Sequence, residues 1–187
     1  MKVFLSWSGD RSREVAETLY SWLPSVIQAL KPWKSDEDIT SGAAWFNQIS
    51  TELQDSKIGI VCLTPENVSS PWLLFEAGAI YKGSQGGLPC ALLIGLEKAD
   101  VSGPLAQLQM TSPSKEEIKK LVRDINALQS DDRRLTGPQL DDAFQLRWHF
   151  LEERLDVIAN KEINSQPVAT RTDEYKLDEI IQNTRSI

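Results

Sequence analysis

Lys57-Ile58-Gly59-Ile60-Val61-Cys62-Leu63-Thr64 is an apolar run with no polar face. A strand with one side in water alternates polar and apolar residues, whereas this one must be covered on both sides. Such a strand belongs inside a parallel sheet flanked by helices. The elements on either side decide whether that reading extends to the rest of the chain.

Upstream, residues 2 to 8 form a short apolar run that ends at the Gly9-Asp10 turn. The period then changes. Val15, Leu19, Trp22 and Val26 recur at helical spacing and predict an amphipathic helix over 12–30, kinked at Pro24. Residues 31 to 34 read as a short strand and Ser35 to Gly42 as an acidic loop. Ser41 then caps a helix over 43–55 that carries Trp45, Ile49 and Leu53 on one face.

Downstream, Thr64-Pro65 and Ser70-Pro71 each set a capping residue before a proline, the pattern that opens a helix. The second of these helices runs to about Lys82. Residues 89 to 95 and 104 to 109 read as further strands, and 114 to 129 as a helix with Ile118, Leu121, Val122 and Ile125 inward. The whole is an α/β arrangement of the flavodoxin-like kind, with a parallel sheet of about five strands and helices on both faces.

At Ser130 the composition becomes polar, so a first domain over 1–129 is followed by a helical C-terminal extension over 130–187. Its helix, from Pro138 to about Asn160, bears the stripe Leu140, Phe144, Trp148, Leu151, Leu155 and Ile158. That stripe packs on the first domain or forms a seam for a second protomer. Pro167 closes this helical part, and Tyr175 to Gln182 suit a small terminal helix.

Composition excludes several function classes. A net charge of −7 argues against a nucleic-acid surface, which needs lysine and arginine opposite phosphates. The single histidine, His149, and two cysteines in apolar runs, Cys62 and Cys90, leave no metal site and no Ser-His-Asp or Cys-His catalysis. Both cysteines read as buried small hydrophobes. With no leader pattern and no run of membrane-spanning length, the expectation is a cytoplasmic chain without a membrane partner.

Glu76 stands out in Ser70-Pro71-Trp72-Leu73-Leu74-Phe75-Glu76-Ala77-Gly78 as a lone acid in an apolar helical run, one turn after Trp72. An aromatic plane beside a carboxylate suits a planar cationic ligand. Spacing alone favours a core acid balanced by Lys82 or an arginine, or an acid exposed at a helix edge. In a parallel sheet the ligand crevice lies beyond the carboxyl ends of the strands, where the loops after residues 8, 34 and 64 emerge.

Over residues 2 to about 128 the chain resembles Toll/interleukin-1 receptor (TIR) domains, especially the stand-alone bacterial ones of antiphage defence, of the Thoeris type. The resemblance is carried by Val3-Phe4-Leu5-Ser6-Trp7-Ser8, by Trp33-Lys34-Ser35 through Gly42 as the so-called BB loop, and by Ser70 to Glu76. It implies cleavage of the nicotinamide–ribose bond of NAD+, with Glu76 as the catalytic glutamate and NAD+ as a substrate rather than a resident cofactor. It also implies self-association through TIR surfaces and a separate effector responding to the product.

Ser6, Trp7, Ser8, Arg11, Trp33, Ser35, Trp45 and Trp72 are the candidate substrate contacts, the tryptophans as stacking platforms and Arg11 as a charge for the pyrophosphate. Two other readings are a non-enzymatic TIR adaptor and an enzyme resembling nucleoside deoxyribosyltransferases.

Overall fold

The computed structural model describes residues 1–34, 56, 58–71, 73, 74, 78 and 88–161. Five parallel strands, β1 (Lys2–Ser6), β2 (Lys31–Lys34), β3 (Ile58–Leu63), β4 (Leu88–Leu93) and β5 (Gln109–Thr111), form one sheet in the order β2-β1-β3-β4-β5. This is the flavodoxin-like order expected from the alternating pattern. β3 is central, and all six of its residues are buried.

Alternate residues of the strands enter two cores. Val3, Leu5, Ile58, Ile60, Cys62, Cys90 and Leu92 face a large cluster shared with α1 (Asp10–Val26), α2 (Lys115–Ala127) and α3 (Gly137–Ala159). Phe4, Val61, Leu63, Ala91 and Leu93 face the other side, covered by Leu73, Val101, Leu105 and Leu108. Both cysteines are buried free thiols, as their apolar runs predict.

α3 delivers Leu140, Phe144, Trp148, Leu151, Leu155 and Ile158 into the first cluster, so the stripe packs within the chain. Trp22 of α1 meets Phe144 edge-on at 6.0 Å and donates its indole N–H to the Arg147 carbonyl at 2.8 Å. Phe144 in turn stacks on Trp148 at 5.5 Å. Leu146, Phe150 and Val157 lie exposed on the opposite side of α3.

Three boundaries differ from expectation. α1 begins at Asp10 and ends at Val26, where Ile27 turns extended just past Pro24. Thr64-Pro65 opens a turn rather than a helix, because Asn67 folds back onto the Thr64 N–H. The strand expected over 104–109 is a 3-10 helix (Gly103–Gln107) followed by β5. Gly103, at φ +66°, and Pro104, which has no N–H, favour that helix over a strand.

α2 starts where expected, with the Ser114 side chain accepting from the Glu117 N–H. The helix expected over 43–55 and the terminal one over Tyr175–Gln182 lie outside the described residues. None of the described helices is long and apolar enough to cross a membrane.

Candidate functional site

The sheet order reverses between β1 and β3: the chain leaves β1 for β2 on one side and returns to β3 on the other. Open α/β sheets hold ligands beyond the carboxyl ends of the strands at such a reversal. One wall is the segment Trp7–Gly9 and the start of α1. The other is the turn from Thr64 to Ser70.

Ser6 ends β1 fully buried, opposite Val61. Trp7 packs into the core on the α1 side with 7% of its surface exposed, and its indole N–H has no hydrogen-bond partner. Gly9 takes φ +86°, a conformation that favours glycine, and turns the chain into α1. Ser12 secures this turn: its hydroxyl accepts from the Ser8 N–H at 3.0 Å and lies 2.6 Å from the Ser8 carbonyl and 3.0 Å from the Gly9 carbonyl.

Arg11 is held from two sides. Its Nε lies 3.2 Å from Glu66 Oε1, and another guanidinium nitrogen donates to the Lys161 carbonyl at 2.6 Å. The Lys161 ammonium bonds both oxygens of Glu14 at 2.6 Å, so the end of α3 is fastened to the start of α1. Arg11 thus joins three elements at the edge of the crevice. Trp33 is half-buried and stacks on Phe4 at 5.2 Å, which makes it part of the second core.

On the opposite wall, Asn67 is buried and uses its whole amide. Its Oδ1 accepts from the Thr64 N–H at 2.8 Å, and its Nδ2 donates to the carbonyls of Cys62 and Ser8, both at 3.0 Å. Beyond it the expected helix opens at Ser70-Pro71: the Leu74 N–H donates to the Ser70 carbonyl, and Pro71, Leu73, Leu74 and Gly78 are helical. Glu76, Trp72, Ser35 and Trp45 lie outside the described residues.

Of the candidate contacts, the structure brings Ser6, Trp7, Ser8 and Arg11 together at the end of β1, and it sets Trp33 at the neighbouring strand. Asn67, Glu66 and Ser12 carry no periodic or motif signal in the sequence that marks them as site residues. An asparagine in Thr-Pro-Glu-Asn is a turn former, which was the available signal.

No described cluster of three His, Cys, Asp or Glu residues could hold a metal ion. His149 is exposed beside Glu152 and Glu153 on α3. Burial pushes the Cys62 thiol far above the ordinary range and that of Cys90 up to about 12. Neither is a nucleophile at neutral pH.

Residues 3–123, well over half of the chain, match the TIR_2 family, described as TIR domain. The chain belongs to the TIR domain family. Among solved structures, the TIR domains of the activated Roq1 resistosome directly recognizing the pathogen effector XopQ align with 98% of this chain and 98% of their own. Their identity to it is 16% and the TM-score is 0.43. No protein of curated function matches this TIR domain. The family match ends at residue 123, ahead of α3.

Proposed function

We propose that this TIR domain is an NAD+ glycohydrolase or cyclase in which Glu76 is the catalytic carboxylate. The observation that carries the proposal is the membership of residues 3–123 in the TIR family. The resemblance of the motif Ser70 to Glu76 to the family's supports reading Glu76 as its glutamate. The helix opening at Ser70-Pro71 follows the turn that walls the crevice between β1 and β3, which agrees with that role.

The chemistry suits a site without histidine. Nicotinamide is cationic in NAD+ and leaves as a neutral pyridine, so no general acid is required. As the bond to ribose breaks, positive charge develops on the sugar, and a nearby carboxylate stabilises the oxocarbenium-like transition state. Apolar neighbours such as Phe75 and Ile80 would strengthen that attraction by limiting solvent screening. Water attacking the cation gives ADP-ribose, and a nucleophile from the same molecule gives a cyclic product.

We place this activity in the cytoplasm of a bacterium, in antiphage defence of the Thoeris type, where TIR self-association controls turnover and the product signals to a separate effector. The test is incubation of the purified protein with NAD+, with and without crowding or infected-cell lysate, followed by chromatography. The expected result is nicotinamide release that Glu76→Gln abolishes. Release persisting in the mutant would overturn the role of Glu76, and no release under any condition would favour the adaptor reading.

A further inference from the structure

We propose that Asn67 is a positioning residue of this site, bridging the two walls of the crevice so that the helix from Ser70 onward is held in register with the loop after β1. The inference rests on the glycohydrolase reading of the site. Asn67 is 3% exposed, and its three side-chain bonds go to three different places. The bond to Thr64 shapes the turn, the bond to Cys62 ties the turn to β3, and the bond to Ser8 crosses to a segment 59 residues earlier.

The Ser8 carbonyl that Asn67 holds is also bonded by Ser12, so the bridge ends on a loop already fixed to α1. In the other direction, the Asn67 and Val68 N–H groups donate to the Thr64 carbonyl at 3.1 Å, the Ser70 N–H to the Asn67 carbonyl at 2.8 Å, and the Leu74 N–H to the Ser70 carbonyl at 3.3 Å. An unbroken series of hydrogen bonds thus runs from Ser8 through Asn67 into the first turn of the helix that opens at Ser70-Pro71. Glu66, next to Asn67, grips Arg11 of α1 and reinforces the same alignment from the outside.

The amide is chemically specific here. It must accept from one N–H and donate to two carbonyls at once, which among short side chains only asparagine does. Aspartate retains the acceptor for Thr64 but sets a carboxylate against the two carbonyls. Alanine leaves all three backbone groups without this partner.

Asn67→Asp therefore keeps the bond to Thr64 and loses those to β3 and across the walls, and Asn67→Ala serves if the buried carboxylate prevents folding. Steady-state nicotinamide release from NAD+ should show kcat reduced by about tenfold or more with a smaller change in KM, as expected when a reacting group is misplaced. Trp22→Phe, which removes one part-buried hydrogen bond at the distant seam between α1 and α3, is the control for lost stability and should keep kcat. An Asn67 variant with kcat within twofold of the parent, or reduced no more than in Trp22→Phe, would overturn the proposal.

Hydrogen exchange separates this failure from failure of the activity itself. If the parent protein releases no nicotinamide, the glycohydrolase reading falls. The bridge is then still supported if Asn67→Ala raises exchange at 7–9 and 70–74 together, and overturned if the rise is confined to 64–70.

Discussion

The seam between α1 and α3 and the turn from Thr64 to Ser70 both join segments distant in sequence, but by different forces. The seam is made of rings: Trp22, Phe144 and Trp148 in contact, with a single indole hydrogen bond. The turn is made of polar groups, chiefly one buried amide with three partners. Burial of apolar area is strong and non-directional, so the seam contributes stability. Hydrogen bonds add little net free energy each but fix direction, so the turn contributes alignment.

That contrast can be broken most severely at the seam. Phe144→Ala should cost about 3–5 kcal/mol of folding stability through lost burial and the cavity left behind, measured by urea unfolding. The fraction that remains folded should retain its parent turnover. Turnover falling much further than the folded fraction would show that the seam also aligns the site.

A smaller change sharpens the comparison. Trp22→Phe keeps a ring at the seam but removes the bond to the Arg147 carbonyl, and should cost about 1–2 kcal/mol. A loss as large as that of Phe144→Ala would mean that the seam depends on its polar bond rather than on ring packing.

The smallest effect is expected at the start of α2, which is built like the turn. Glu117 accepts from the Lys98 ammonium at 2.7 Å and from the Ser112 N–H. The Lys98 bond first, then the Ser112 bond, hold its carboxyl below the ordinary glutamate range. Because the folded value is the lower one, the stabilisation is fully present above the unfolded value of about 4.3 and is lost as pH falls through the folded value. Glu117→Gln should therefore lower the urea midpoint slightly at pH 7, and the gap to the parent should close on acidification below about pH 4. A gap that widens in acid would show the sign to be wrong.

How far these features are legible in the chain follows from their range. The apolar run of β3 and the helical stripes of α1, α2 and α3 depend on neighbours within a few residues. The apolar residues of the 3-10 helix at Gly103–Gln107 fit a strand pattern as well, and only Gly103-Pro104 tells the two apart. Trp7 and Trp33 suit ligand platforms in sequence, and the fold packs the first into one core and sets the second, half-buried, against Phe4. A ring of that size reads the same in sequence whether it faces a core or a ligand.

By itself, the sequence determined the class of the fold and the alternation of its described strands and helices, since periodicity is a local property. It also marked Glu76 as a carboxylate in an apolar helical run. Only the tertiary structure decided that α3 packs on α1, that Arg11 is shared between Glu66 and Lys161, and that Asn67 reaches Ser8. Those contacts join residues 55 to 150 positions apart, and a side chain's hydrogen-bonding capacity does not name the distant carbonyl that folding will bring to it.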